Sequence, residues 1–151
     1  MSPSGVAGRI LIVDDEPANI LLLETILADT ASEIRSLQDS RQVEQVFTEF
    51  EPDILLLDLH MPDPDGLEVL RRLRSVRNSL GFLPVIVLTG DTGKVARNSA
   101  LILGADDFLT KPLDREEVVL RVRNLLRTRQ LYEELATANA QREQRRDRLT
   151  K

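Results

Sequence analysis

Acidic, hydroxyl and ammonium side chains stand directly at the ends of short apolar runs in this sequence. They are Asp14 and Asp15 after residues 9–13, Asp58 at the end of residues 53–58, Thr89 at the end of residues 84–89, and Lys111 after residues 107–110. Carboxylates brought within a few ångström of one another repel strongly unless a cation lies among them. A set of oxygen ligands without His or Cys favours Mg²⁺, with Mn²⁺ as a second candidate. We expect Asp15 to bind this ion directly and Asp14 to bind it partly through water.

A carboxylate beside such an ion has the chemistry of a nucleophile toward phosphoryl groups. With the charge neutralised, it can attack phosphorus and become an acyl phosphate. Asp58 is the best placed of the three because it closes its strand. Lys111 is then expected to pair with one phosphate oxygen, while the Thr89 hydroxyl and the backbone N–H of Gly90 hydrogen-bond another.

These residues meet only if the apolar runs form one sheet. Strands are predicted at residues 9–13, 33–37, 53–58, 84–89 and 107–110. Helices are predicted over residues 40–50, 66–76 and 95–103, and two further helices begin at Pro17 and after a cap at Asp114. Strands rich in Ile, Leu and Val on both faces belong in a parallel sheet that helices cover on each side, which is a doubly wound α/β fold. In such folds, sites form at the carboxyl ends of the strands, near the topological switch point.

Composition and charge exclude several classes of function. The chain has 151 residues, 42% of them hydrophobic, with no apolar run long enough for a membrane span, and its start lacks a secretion signal. A cytoplasmic protein without membrane attachment is therefore predicted, and the lack of cysteine excludes disulfides and thiolate metal sites. The whole chain has a formal net charge of −5. Residues 129–151 hold six Lys/Arg against four Asp/Glu, so residues 1–128 carry a net charge of −7. An acidic domain with 3% aromatic residues predicts no nucleic-acid surface.

The helical pattern that begins near Asp114 continues to Lys151 without Gly or Pro, which predicts one long helix. Beyond residue 128 its apolar positions thin to Leu131, Tyr132, Leu135, Ala136 and Ala138. This density is compatible with a marginal coiled coil, a signalling helix or a solvated helix. We therefore expect a disordered N-terminus over residues 1–8, a globular domain over 9–128, and over 129–151 either a helical extension or a coiled-coil linker that would lead to an output domain.

Four motifs in order carry a resemblance to a known family. They are residues 13–16 (VDDE), 57–66 (LDLHMPDPDG), 89–90 (TG) and 104–112 (GADDFLTKP). Over residues 8–128 the chain closely resembles the receiver domains of two-component response regulators, including the chemotaxis-type receivers. The resemblance implies a flavodoxin-like fold with strand order 2-1-3-4-5 and five helices.

The resemblance also implies roles for individual residues. Asp58 would accept a phosphoryl group from a phosphohistidine of a sensor kinase or phosphotransfer protein, and the backbone carbonyl of His60 would complete an Mg²⁺ shell with Asp14, Asp15 and Asp58. Such a domain is a signalling switch that catalyses only its own phosphorylation and dephosphorylation. His60 and Asp91 occupy the two positions that tune the lifetime of the phosphate.

A conformational switch follows from the same resemblance. The Lys111–Pro112 peptide would be cis, and Phe108 would turn inward as Thr89 moves toward the phosphate. Phosphorylation would remodel the face formed by the fourth helix, fifth strand and fifth helix. A homodimer through this face and the C-terminal helix is the expected response.

Other interpretations remain open at this point. Taken alone, Asp14 and Asp15 fit a solvated turn or a helix cap, Lys111 fits a surface lysine, and a loop histidine such as His60 is more often exposed than functional. A dinucleotide enzyme needs a glycine-rich first turn, whereas Asp14-Asp15-Glu16 would repel pyrophosphate. A haloacid-dehalogenase-like phosphatase needs a second Asp where His60 stands. A degenerate receiver that acts only as a phosphate-independent docking module is the remaining alternative.

Overall fold

A single parallel sheet forms the centre of the molecule. The computed structural model describes residues 7–62, 64–73, 76–77, 81–90 and 94–149, with the side chains at 94 and 96 excepted. The strands are β1 (Gly8–Val13), β2 (Ala31–Leu37), β3 (Ile54–Asp58), β4 (Val85–Thr89) and β5 (Asp107–Thr110). Their order is β2-β1-β3-β4-β5, and every neighbouring pair is parallel. The predicted topology is confirmed, and its switch point lies between β1 and β3.

Five α-helices connect and extend the strands within the described ranges. They are α1 (Pro17–Leu27), α2 (Val43–Phe50), α3 (Gly66–Arg72), α4 (Lys94–Ile102) and α5 (Arg115–Leu149). None of the described helices combines the length and the apolar character that a membrane span requires.

The core lies in two layers because alternate strand residues point to opposite faces of the sheet. On one face, Leu11, Leu55 and Val87 belong to a cluster with side chains of α2, α3 and α4. On the other face, Ile12 and Leu56 belong to a cluster with side chains of α1 and α5. β3 and β4 are buried along their whole length, as expected of central strands in a doubly wound sheet.

The structure corrects several predicted boundaries. β1 begins at Gly8, inside the range predicted to be disordered, because Gly8 already pairs with Ala31 of β2; residues 1–6 lie outside the described residues. The predicted helix over residues 40–50 opens with a 3₁₀ turn, Ser40–Gln42, because the Asp39 side chain accepts a hydrogen bond from the Arg41 N–H and tightens the first turn. α3 ends at Arg72 instead of continuing unbroken to residue 76.

The long C-terminal helix is confirmed, and its first turns beyond residue 128 touch the body of the domain. Arg129 Nε lies 3.1 Å from Asp53 Oδ1, at the chain segment that enters β3, and another Arg129 nitrogen donates to the Phe82 carbonyl. The Tyr132 ring packs against the Phe82 ring with centroids 6.0 Å apart. The described side chains from Glu133 onward are exposed, apart from a half-buried Ala138. The contacts of α5 with the domain therefore extend past residue 128 as far as Tyr132.

Candidate functional site

The predicted acidic residues lie together at the carboxyl edge of the sheet. β1 and β3 are hydrogen-bonded neighbours, so Asp14 and Asp15 after β1 face Asp58 at the end of β3. One carboxylate oxygen from each of these residues lies within 4.8 Å of the other two. Asp14 and Asp58 are buried, whereas Asp15 is exposed. The cluster is thus half sealed by the fold and open to solvent on the side of Asp15.

Within the described part of the chain, Asp14 carries a buried oxygen that lacks a hydrogen-bond donor. Its Oδ1 accepts a hydrogen bond from the Glu16 N–H at 2.9 Å, but its fully buried Oδ2 has no hydrogen-bond partner among the described residues. Lys111 Nζ lies 3.5 Å from this oxygen, which is ion-pair contact without a hydrogen bond. An unpaired buried carboxylate oxygen is costly unless a cation completes its environment. The all-oxygen ligand set and this oxygen fit a hard divalent ion such as Mg²⁺.

Asp58 is held by two donors. Its Oδ1 accepts a hydrogen bond from the His60 N–H at 3.0 Å and lies 3.3 Å from Lys111 Nζ. Burial raises the pKa of Asp58 above its ordinary value, and the nearby charge of Asp14 adds to the rise. The His60 N–H and the Lys111 ammonium oppose that rise of the pKa. The ionised carboxylate therefore depends on cations and N–H donors around it.

Lys111 reaches the acidic cluster because the backbone after β5 is tied to β4. Thr89 pairs with Thr110 in the sheet, and the Lys111 N–H donates to the Thr89 carbonyl at 2.8 Å. The Lys111–Pro112 peptide is cis. The lysine side chain is 22% exposed and crosses from β5 toward the ends of β1 and β3.

Thr89 and His60 meet at the same edge of the sheet. Thr89 is fully buried, and its Oγ1 lies 3.2 Å from Nε2 of the exposed His60. The sequence predicted roles for the backbone carbonyl of His60 and for its position along the chain, but it did not predict this side-chain contact. A histidine two residues after the predicted acceptor was the available signal. Asp91, predicted to tune dephosphorylation, and Asp63 of the second motif lie outside the described residues.

Gly66 allows α3 to begin directly against the acceptor strand. A Cβ atom at this position would stand 2.3 Å from the Asp58 carbonyl oxygen and 2.6 Å from the Leu59 Cα, closer than a side-chain carbon can approach. The Asp65 side chain caps the same helix by accepting a hydrogen bond from the Glu68 N–H at 2.9 Å. The close approach of α3 to the backbone around Asp58 and Leu59 gives this motif glycine a physical reason that the sequence alone did not provide.

Phe108, the predicted switch aromatic, lies near the guanidinium groups of two arginines. The guanidinium of Arg97 on α4 is 4.6 Å from the centre of its ring, and that of Arg121 on α5 is 6.0 Å away. Arg121 also pairs with Asp107 at 2.7 Å and with Glu117 at 3.1 Å. These hydrogen bonds raise the pKa of Arg121, with Asp107 the main cause. This arrangement was not predictable from the sequence, because contacts that join α4, β5 and α5 leave no local sequence pattern.

Comparison with known proteins agrees with this geometry. The sequence model of the response regulator receiver domain matches residues 10–123. The chain is 41% identical over 119 residues to the transcriptional regulatory protein TrcR of Mycobacterium tuberculosis, and the match covers 79% of this chain and 45% of TrcR. It is 39% identical over 119 residues to the virulence transcriptional regulatory protein PhoP of Salmonella typhimurium, with 79% and 52% covered.

A solved structure shares the fold over a longer part of the chain. NtrX from Brucella abortus superposes with a TM-score of 0.79 at 28% identity, covering 87% of this chain and 29% of NtrX. The chain spans about half the length of the curated relatives it matches. The matched sequence model covers most of the chain, including all five strands except the first two residues of β1. This protein therefore belongs to the family of response regulator receiver domains of two-component systems.

Proposed function

We propose that this receiver accepts a phosphoryl group on Asp58 from the phosphohistidine of a sensor histidine kinase or a phosphotransfer protein, and that Mg²⁺ is required. The observation that carries the proposal is the meeting of Asp14, Asp15 and Asp58 within 4.8 Å of one another, with Lys111 Nζ 3.3 Å from Asp58. A nucleophile, an oxygen-lined cation site and a phosphate-binding ammonium then share one edge of the sheet. This is the combination that phosphoryl transfer to a carboxylate needs.

The residues around Asp58 have different roles in the proposed phosphoryl transfer. Mg²⁺, held by Asp14, Asp15, Asp58 and the His60 carbonyl, would supply positive charge beside a phosphoryl oxygen. A carboxylate oxygen of Asp58 forms a bond to phosphorus while the bond from phosphorus to the donor nitrogen breaks, and the donor imidazole leaves with that electron pair. Lys111 offsets charge on the transferred group, and the Thr89 hydroxyl and Gly90 N–H donate hydrogen bonds to it.

Intact-mass spectrometry with a small phosphodonor tests this proposal. We expect Mg²⁺ and acetyl phosphate to add one phosphoryl group to the wild type and none to Asp58→Asn, with EDTA abolishing the adduct. Asp39→Asn is the matched control, because Asp39 is an exposed aspartate that pairs with Arg41 away from the site. No adduct with acetyl phosphate or with a phosphorylated kinase would contradict the proposal and leave the docking-module alternative.

The proposed output of phosphorylation is a change on the face formed by α4, β5 and α5. Phe108 contacts Arg97 and Arg121. If the Phe108 ring turns inward when Thr89 moves toward the phosphate, both guanidinium groups lose their contact with the ring. Val95 on α4 is 80% exposed and Leu120 on α5 is 62% exposed, which provides apolar area beside these charges. A homodimer through this face, continued along the exposed part of α5, is the assembly we propose.

Sedimentation velocity with and without beryllofluoride, a non-covalent mimic of a phosphoryl group, tests the dimer. We expect the mimic to shift the wild type toward a dimer, and Arg121→Glu to prevent the shift by placing like charge beside Asp107. Arg127→Glu changes an exposed charge on the same helix and is the control. An unchanged monomer on saturation with the mimic would contradict the dimer while leaving Asp58 chemistry intact.

A further inference from the structure

His60 has a side-chain contact that its proposed backbone role does not require. Its N–H donates to Asp58 Oδ1 at 3.0 Å, which fixes the backbone beside the acceptor. Separately, its Nε2 lies 3.2 Å from Oγ1 of the buried Thr89. The imidazole therefore connects the loop after β3 to the hydroxyl at the end of β4.

We propose that His60 is a positioning residue that competes with the phosphoryl group for the Thr89 hydroxyl and so favours the unphosphorylated arrangement of the site. The inference rests on the proposed function and deepens it, because it names one group that contacts the Thr89 hydroxyl before phosphate arrives. In this arrangement, binding of a phosphoryl group at Asp58 replaces the hydrogen bond to His60 with one to a phosphoryl oxygen.

The imidazole and a phosphoryl oxygen compete directly for the Thr89 proton when Nε2 is unprotonated. A threonine hydroxyl has one proton to donate. With Nε2 unprotonated, the Thr89 hydroxyl donates its proton to the imidazole, so this proton is not available for a hydrogen bond to a phosphoryl oxygen. With Nε2 protonated, the ring donates to Oγ1 and still keeps the hydroxyl beside it. In that second case the hydroxyl keeps its own proton, so the ring opposes the phosphoryl group only by holding Oγ1 in its present position.

The exposure of His60 sets the size of the effect. The hydrogen bond joins a solvent-exposed ring to a fully buried hydroxyl, so water replaces the histidine at modest cost. One neutral hydrogen bond contributes on the order of 1 kcal/mol net, which corresponds to about a fivefold change in an equilibrium constant. Removing the imidazole is therefore expected to tighten binding of a phosphoryl mimic by about two- to tenfold.

The first test needs neither metal nor phosphate. His60 is the single histidine of the chain, so the ring ¹⁵N signals of the tag-free protein belong to it without further assignment. We expect Thr89→Val to shift the Nε2 signal of the metal-free protein, because the valine lacks the hydroxyl. Thr48→Val, which removes an exposed hydroxyl on α2, is the control and should leave the signal in place. An Nε2 signal unaffected by Thr89→Val overturns the proposal.

The second test is a double-mutant cycle on affinity for beryllofluoride with Mg²⁺, measured by NMR titration of the Gly90 amide. We expect His60→Ala to bind the mimic about two- to tenfold more tightly than wild type and His60→Gln, which keeps a side-chain hydrogen-bonding group of similar reach, to restore most of the wild-type affinity. In a Thr89→Val background the same His60→Ala change should have no effect. All these substitutions leave the His60 backbone groups in place.

The outcomes separate this inference from the proposed function. Equal affinities for wild type and His60→Ala, weaker binding by His60→Ala, or an equal gain in the Thr89→Val background would each overturn the competition while leaving phosphorylation of Asp58 standing. A wild type that neither binds beryllofluoride nor forms the acyl phosphate would overturn both. If His60→Ala alters only the hydrolysis rate of the phosphate, the imidazole controls access of water instead.

Discussion

Lys111 Nζ lies 3.3 Å from Asp58 Oδ1, so the ammonium after β5 compensates a buried carboxylate at the end of β3 across the intervening strand β4. The same ammonium forms a longer ion pair, at 3.5 Å, with Asp14 Oδ2, which has no hydrogen-bond partner among the described residues. Two buried carboxylates thus share one partly exposed lysine within the described site. A single positive charge cannot neutralise both, which is the physical reason for a strong preference for a second cation among them.

Replacing Lys111 should destabilise the metal-free protein more than the metal-bound protein. Lys111→Met leaves Asp14 and Asp58 without their shared cation, and we expect the free energy of unfolding in EDTA to fall by about 1–3 kcal/mol near neutral pH. Saturating Mg²⁺ should reduce this loss because the ion replaces the missing charge. Urea denaturation with EDTA and with Mg²⁺ measures the difference. Arg127→Met, an exposed cation on α5, should change stability by less than about 0.5 kcal/mol.

The raised pKa of Asp58 predicts a pH dependence with a definite sign. Burial raises the pKa of the folded carboxyl above its unfolded value of 3.8, so the folded state holds the proton more tightly. This group therefore supports folding below the unfolded pKa, and that support is lost as the pH rises through the folded pKa. Asp58→Asn, which keeps an oxygen acceptor for His60 and Lys111, should be more stable than wild type near neutral pH in EDTA.

Denaturation in urea at several pH values measures this effect. The advantage of Asp58→Asn should shrink as the pH falls toward the unfolded pKa, because wild-type Asp58 then becomes neutral as well. Mg²⁺ should make wild type more stable than Asp58→Asn near neutral pH, because the ion binds wild type more tightly than the variant. Asp39→Asn is the control: Arg41 lowers the pKa of this exposed carboxyl, so its removal should give no gain near neutral pH. If Asp58→Asn is no more stable than wild type in EDTA near neutral pH, the prediction is wrong.

The strand ends were predictable from sequence, whereas the contacts between side chains were not. An apolar run that stops at an acid or a threonine marks a carboxyl end, and parallel pairing then brings Asp14, Asp58 and Thr89 to one edge. The contact of His60 with Thr89 joins residues 29 positions apart and depends on a rotamer, which composition and spacing do not specify. The extent of α5 was predictable from the lack of Gly and Pro, but the docking of Arg129 was not.

Gly66 should be intolerant of even one added carbon. In Gly66→Ala the new Cβ would meet the Asp58 carbonyl oxygen and Leu59 Cα, which belong to backbone and cannot simply rotate away. We expect a loss of about 2–3 kcal/mol in the free energy of unfolding, although alanine is the better helix former. Gly90→Ala is the matched control because, chain neighbours aside, no atom of the described residues lies within 4 Å of its added Cβ. Urea denaturation of both variants decides the matter, and a Gly66→Ala protein as stable as wild type would show that α3 can move away from β3.

Arg129 should anchor the first turn of α5 that projects beyond the core. Its side chain is 14% exposed and holds Asp53 at 3.1 Å as well as the Phe82 carbonyl, next to the packed rings of Phe82 and Tyr132. Arg129→Met removes these hydrogen bonds, and we expect a loss of about 1–2 kcal/mol. Hydrogen exchange should accelerate at the amides from residue 129 to 135, while those around Val122 and Leu126, buried in the core, stay protected.

Arg127→Met provides the comparison for that experiment, because Arg127 is exposed on the same helix two residues earlier. Its exchange pattern should match wild type. If Arg129→Met also left the exchange of residues 129–135 unchanged, the Phe82–Tyr132 contact would be sufficient to dock the helix, and Tyr132→Ala should then release it. No described side chain from Glu133 onward is buried against the domain. If exchange of residues 129–135 accelerates in either variant, any movement of the receiver that reaches the exposed part of α5 must therefore pass through the contacts of Arg129 and Tyr132.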